Sequence, residues 1–203
     1  MYDVLKSGVL LWEHVETEKC EHYKKLLKRL LSLGYTINAV TMHGKRGLST
    51  VFKAHPIQMC HFHQKQTIQR YITKNPKLEA SKDLQRIMYI LTKTTEKTFK
   101  NKLQSWRAKH ENFLNEMTVN NETGEVFYTH YKLCALYVSL CSNLDHLFTY
   151  KKLKHLSIPN TTNHLDGGKF SDLKNRIRVH RGLSKKLKLK LVDFYLINNG
   201  KKY

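Results

Sequence analysis

Three groups of residues in this 203-residue chain have the types and spacing to do chemistry. Cys60 and His63 form a C-x-x-H pair, a thiol and an imidazole that can both ligate metal. Four ligands make a structural zinc site; on a strand His61 points to the side opposite Cys60 and His63, and Cys20, His22 and His55 are only loosely placed to supply the missing two. Packing or hydrogen bonding is therefore the preferred reading of the pair. Asp166 recurs at helical spacing with Phe170, Leu173 and Ile177, behind Asn163 as N-cap, so a carboxylate and an apolar anchor share one helix face. Such a carboxylate serves a site, or it only complements the helix dipole in a first turn. Around it runs a dense basic series, Lys169, Lys174, Arg176, Arg178, Arg181, Lys185, Lys186, Lys188 and Lys190. Most of these are expected to be solvated, with about a third touching phosphate. Trp106, with Phe99, Leu103 and Phe113, either offers a ring to a splayed base or forms an amphipathic stripe, and the spacing favours the stripe.

The charge balance points the same way as the basic series. Thirty-six Lys and Arg against 16 Asp and Glu give a formal net charge of +20, a field that favours polyanions. A Lys-rich proteome is the other source of such a balance. The excess is uneven: residues 1–31 carry 6 basic and 5 acidic side chains, residues 65–109 carry 12 and 3, and residues 169–203 carry 11 and 2. Two separated basic segments suit a protein that grips a phosphate backbone on both sides of a site. With 40% hydrophobic and 26% charged residues, the composition is that of a folded domain rather than a disordered chain. Four irregularly spaced cysteines (Cys20, Cys60, Cys134, Cys141) make no disulfide framework. The most apolar run, Leu133 to Leu144, is too short to cross a bilayer and no secretory leader is read, so no membrane is expected and a reducing cytoplasm is.

The elements that must position these residues follow an α/β order. Lys6-Ser7-Gly8 turns the chain between two short strands, the second at Leu10-Leu11-Trp12. A helix spans about 18–33 on the stripe Tyr23, Leu26, Leu27, Leu30 and Leu31, with Gly34 as its C-cap glycine. Thr36 to Met42 reads as a buried strand, Leu48 to His55 as a short helix stopped by Pro56, Ile57 to Phe62 as a strand, and Gln64 to Ile72 as a helix. Residues 78–117 read as helical throughout, 120–124 as a loop, 129–147 as a long helix, and 163–180 as a helix after an irregular bridge. The fold class expected is a mixed sheet with flanking helices, interrupted by an all-helical insertion: core at 1–76, insertion at 77–157, and core helices at 158–203.

Three segments in this order carry a resemblance. HGKRGL (His43 to Leu48), QMCHFHQ (Gln58 to Gln64) and IPNTTNHLDGGKFSDLK (Ile158 to Lys174), with Tyr128 to Tyr150 as a fourth, resemble the Mutator-like group of bacterial insertion-sequence transposases. The resemblance covers about Gly8 to Leu196 and implies an RNase H-like catalytic fold with a DDE triad. Such enzymes move DNA by in-line phosphoryl transfer on two Mg²⁺ (or Mn²⁺) ions held by carboxylates.

Carried onto this chain, the resemblance places His43 at the second acidic position and Asp166 at the third, as catalytic residues, with Asp166 a metal ligand. Imidazole is a softer donor than Mg²⁺ prefers, and Asp is one methylene shorter than the Glu usual there. The strand bearing the first Asp is expected to precede Met1, leaving the core incomplete at its N-terminus, the sheet edge open and self-association possible. Cys60 and His63 correspond to the family's structural C-x-x-H. Lys45, Arg46, Lys169, Lys174, Arg176, Arg178, Arg181, Lys185 and Lys186 are the expected DNA contacts. The function implied is DNA transposition, impaired in this chain, with transposon ends and target DNA as partners in a bacterial cytoplasm. The alternative is a non-catalytic regulator that binds transposon ends or an intact transposase.

Overall fold

The computed structural model describes residues 1–198, without the side chains of His164 and Asp166. The chain is mixed α/β and mostly helical, 57% helix against six strands of two or three residues, so helix packing rather than sheet carries the core. It divides into two compact units, one of Met1–Val40, Lys45–Ile57 and the chain from Thr162, the other of Thr41–Gly44 and Gln58–Thr161.

In the first unit, β1 (Tyr2–Asp3) pairs antiparallel with β2 (Gly8–Val9), Tyr2 opposite Val9. Asp3 Oδ1 accepts from the Lys6 amide at 3.0 Å, an Asx turn at the site of the expected reversal. The second strand lies at Gly8–Val9 rather than at Leu10-Leu11-Trp12; Leu10 and Leu11 still hydrogen-bond to Met1, and Trp12 turns to a helix of the same unit, described below. Helix α1 (Cys20–Ser32) buries Leu30, at 3% exposure, while Leu31 stays 47% exposed, so the apolar stripe is narrower than its sequence spacing. Gly34 adopts φ +80° and its amide reaches the Leu31 carbonyl, while the Tyr35 amide reaches that of Leu30; this Schellman closure needs a residue without Cβ strain. Helix α2 (Leu48–Val51) packs on α1.

The segment β3 (Val40–Met42) pairs with β4 (Ile57–Met59), and both strands are shorter than the sequence pattern. Among the described residues there are three two-stranded sheets in place of one mixed sheet. Backbone groups beside this pair meet loop rather than strand: the Thr41 hydroxyl donates to the Pro159 carbonyl (3.0 Å) and the His61 amide to that of Asn160 (2.8 Å).

The second unit is a helical body. Helix α3 (His61–Ile72) starts where a strand was expected to continue, because Cys60 already has extended N-cap geometry and the Gln64 amide bonds the Cys60 carbonyl. Then come α4 (Glu79–Tyr89), α5 (Glu96–Lys109), α6 (Glu111–Leu114), α7 (Tyr131–Leu147) and α8 (Thr149–Lys152). Leu133, Leu136, Leu140, Leu144 and Leu147 recur on one face of α7 and meet Ile68 and Ile72 of α3, Leu84 and Met88 of α4, and Phe99, Leu103 and Trp106 of α5 in one core. Helix α3 belongs to this core, so the second unit takes in the chain from Gln58 to Thr161.

The inserted body is also not all helical. β5 (Met117–Val119) and β6 (Val126–Tyr128) form an antiparallel hairpin, Thr118 opposite Phe127. Asn120 Oδ1 accepts from the amides of Glu122 and Thr123, and Gly124 at φ +71° closes the turn. The loop was legible in the sequence, while three-residue strands on each side were too short to show period two.

The first unit ends in two helices. A π-helical turn (His164–Lys169) leads into α9 (Phe170–Val179), and α10 (Lys185–Asn198) follows. Asn163 has right-handed helical angles (φ −60°, ψ −29°), so it lies inside the turn rather than at the extended N-cap expected of it.

Phe99 is fully buried, its ring 5.7 Å from that of Phe148, whereas Phe127 on the hairpin is 42% exposed. Phe99→Ala is expected to lower unfolding free energy by about 3–5 kcal/mol, and Phe127→Ala by less than about 0.5 kcal/mol. Urea denaturation of both variants checks this, and equal losses would contradict the assigned core.

Candidate nucleic-acid interface

Each residue singled out in the sequence has an identifiable setting. His43 directly follows β3, half-buried, and its ring lies 5.9 Å from that of His63 on the first turn of α3. Cys60 is fully buried; its amide donates to the Met42 carbonyl (2.8 Å) and its Sγ lies 3.7 Å from Thr161 Oγ1. The C-x-x-H pair thus joins the end of β4 to the residues after β3 and to the segment before residue 162, the structural part that packing would give it. Two imidazoles face each other here, a nitrogen donor set that suits Zn²⁺ or Fe²⁺ and does not fit the hard, oxygen-seeking Mg²⁺. Among the described residues no group of three or more His, Cys, Asp or Glu is arranged to hold a metal ion. Asp166 lies in the π-helical turn, and its side chain is outside the described residues.

His61 was expected to sit on a strand, facing away from Cys60 and His63. It is instead a buried residue of α3, 2% exposed. Its Nε2–H donates to the Leu147 carbonyl at the end of α7 (2.6 Å), and the Gln58 side-chain amide donates from Nε2 to the same carbonyl at 3.1 Å. Gln58 Oε1 in turn accepts from the Tyr150 amide (2.9 Å). A carbonyl only accepts, so Nε2 carries the proton and Nδ1 is the bare nitrogen. That Nδ1 has no hydrogen-bond partner among the described residues. Burial, reinforced by the nearby Lys65 and Lys151, pushes the His61 pKa below its ordinary value, against the opposing pull of the Leu147 hydrogen bond. The sequence carried no signal for this clamp, because a buried His and Gln look like any polar residues of a helix start.

The stacking reading of Trp106 is settled in favour of packing. The indole is 3% exposed, donates to the Ala80 carbonyl (2.8 Å) and stacks on Tyr137. With Phe99 and Leu103 it is core, and no base reaches it.

The expected DNA contacts fall into two sets. Some are engaged internally: Lys45 donates to the Glu18 carbonyl (2.7 Å), Lys169 donates to the Ser7 carbonyl (2.6 Å) with its ammonium 5.2 Å over the Tyr2 ring, and Arg176 pairs with Asp172 (2.9 Å). The rest face solvent: Arg46 after β3, Lys174 and Arg178 on α9, Arg181 in the following turn, and Lys185 and Lys186 on the first turn of α10. Lys185 lies 3.8 Å from Glu16 with both side chains more than 80% exposed, a pairing that solvent screens almost entirely. Lys188, in the same helix, bends back to cap the Arg181 carbonyl (2.8 Å).

The two carboxylates among these cations are spoken for. Asp172 holds Arg176, and Asp193 Oδ1 accepts from the Trp12 indole N–H (2.8 Å) and the His14 ring (2.6 Å). The Trp12 bond, then the His14 bond, holds Asp193 below the ordinary carboxylate range. Among the described residues the outward faces of α9 and α10 therefore carry more exposed cations than carboxylates.

No protein-family model, curated protein or solved structure matches this chain. No helix among the described residues is long and apolar enough to cross a membrane.

Because His61 is neutral when folded and protonates more readily when unfolded, its contribution is complete above the ordinary histidine pKa. It is lost as pH falls below that value toward the folded one. Acidification from about pH 7 to about 5 should lower the melting temperature, and His61→Gln, which keeps a donor for Leu147, should lower it less. Parallel melting curves for the two proteins across that range would reject the buried neutral imidazole.

Proposed function

We propose that this chain is a DNA-binding protein of transposase descent in which metal-dependent strand cleavage is impaired. The observation that carries the DNA-binding part is the solvent-facing row Arg178, Arg181, Lys185 and Lys186, on helices where exposed cations outnumber the carboxylates Asp172 and Asp193. Phosphate contacts from such a row are sequence-blind and release counterions, so affinity falls steeply with salt. The descent rests on the motif order of Mutator-like insertion-sequence transposases, and the RNase H-like fold belongs to the same proposal.

The setting of His43 supports the impairment. At the second acidic position the chain offers an imidazole facing a second imidazole, and in-line phosphoryl transfer on two Mg²⁺ ions calls for carboxylate there. A π-helical turn around residue 166 is a geometry found often at functional positions, which keeps a role in positioning DNA open to this segment. The same features favour, over an active transposase, a protein that occupies transposon ends without cutting them.

Duplex binding followed by anisotropy across a salt series tests this. The Arg178, Arg181, Lys185 and Lys186→Gln quadruple variant should bind about 10–100-fold more weakly, with a salt slope about 2–3 smaller in magnitude. An unchanged slope would remove the α9–α10 assignment. Supercoiled plasmid should stay intact with Mg²⁺ or Mn²⁺, and metal-dependent nicking by the purified chain would refute the impairment.

A further inference from the structure

The first unit contains a cavity of about 380 Å³ between α9 and α10, lined by Asp172, Arg176, Leu191, Phe194, Tyr195 and Asn198. That volume lies within the range of small-ligand clefts. It lies on a surface that mixes lysines with exposed apolar side chains, Val179, Leu187 and Ile197 among them. Phe194 is 68% exposed, although it lies on a helix with apolar neighbours available to cover it. An open aromatic face beside cations is the element that stacks on a nucleobase.

The polar groups of the cavity are arranged around that ring. Asp172 fixes Arg176 through Nε at 2.9 Å, and the guanidinium lies 5.9 Å over the Tyr195 ring. The plane is thus held from two sides, while of the five guanidinium donors only Nε–H is engaged among the described residues. Tyr195 is anchored by its hydroxyl, which donates to the Lys169 carbonyl at 2.6 Å. Asn198 donates from Nδ2 to the Phe194 carbonyl (2.8 Å), which directs its Oδ1 away as an acceptor. A ring, a fixed guanidinium and a carboxamide acceptor correspond to a base face, a phosphate and a base edge.

We propose that this cavity binds one unpaired nucleotide of single-stranded DNA, the base on Phe194 and its phosphate on Arg176. The inference rests on the DNA-binding reading above and narrows it to a strand form. Duplex bases are stacked on one another and present no face to a ring in a concavity, so only a splayed or single-stranded base fits. A bare anion gains only the guanidinium donors that Asp172 leaves open, whereas a nucleotide adds the ring contact with Phe194. The exposed cations Lys174, Arg178, Lys186 and Lys190 extend along the same two helices and suit the continuing backbone.

The test uses the whole chain and fluorescence anisotropy, with labelled oligo-dT of about 12 nucleotides and a duplex of equal length. Phe194→Ala should weaken oligo-dT binding by about 10–100-fold and change duplex binding by less than about twofold. Phe194 is exposed, so its truncation leaves the fold intact, and Phe194→Trp supplies a second readout. Its added emission should be quenched by oligo-dT and not by duplex, against the buried Trp106 and the hydrogen-bonded Trp12. Equal losses on both DNA forms, no loss on oligo-dT, or no quenching would overturn the proposal. Salt-dependent duplex binding with an insensitive Phe194 would sink this inference alone, whereas a chain that binds neither DNA would sink the DNA-binding reading with it.

Discussion

The second unit depends on how the end of α7 is held. Five leucines along that helix bury themselves against α3, α4 and α5, and such a stripe fixes the helix rotation but not its position along its axis. The Leu147 carbonyl is one of the orphan acceptors that every helix C-terminus leaves. Here it receives two buried donors, His61 Nε2 and Gln58 Nε2, both from the β4–α3 segment. A buried carbonyl without partners costs a few kcal/mol, so these two bonds select one register of α7 over others that would pack the leucines comparably. Phe148, fully buried, and Tyr150, whose amide is taken by Gln58, continue that fixed path into α8.

The same segment carries the C-x-x-H pair, which explains its company. Cys60 is at once the N-cap position of α3, the amide donor to Met42 and the thiol beside Thr161. His61 and Gln64 turn into the core while His63 turns toward His43. Five residues thus serve helix initiation, strand pairing and the α7 clamp together. A substitution here disturbs packing first, whatever chemistry the histidines perform.

In the first unit, electrostatic partition matters more than burial. Its two terminal helices carry many cations and two carboxylates, and both carboxylates are paired at the surface: Asp172 with Arg176, and Asp193 with Trp12 and His14. The Asp193 contact also ties α10 to the chain after β2, more than 170 residues away in sequence. The remaining cations are left to the outside, so a moderate excess of charge becomes a strong local field. That partition turns composition into a surface with a preference for polyanions.

Much was legible in the residues alone. The Leu30 face of α1, the Gly34 stop, the α5 stripe through Phe99, Leu103 and Trp106, and the long α7 follow from the 3.6-residue period and backbone sterics, which are local. So does the basic character of residues 169–190, which is composition. Strand lengths, the β5–β6 hairpin and the membership of α3 in the inserted body were decided by tertiary structure. A two- or three-residue strand exists only where a partner supplies its hydrogen bonds, and a helix joins whichever body buries its apolar side. The roles of His61, Asp193 and Phe194 belong to the same class. One is buried against a helix end 86 residues on, one is claimed by an indole from the far end of the chain, and one is left bare beside an arginine. Such contacts join distant parts of the chain, and no local pattern of residue types encodes them.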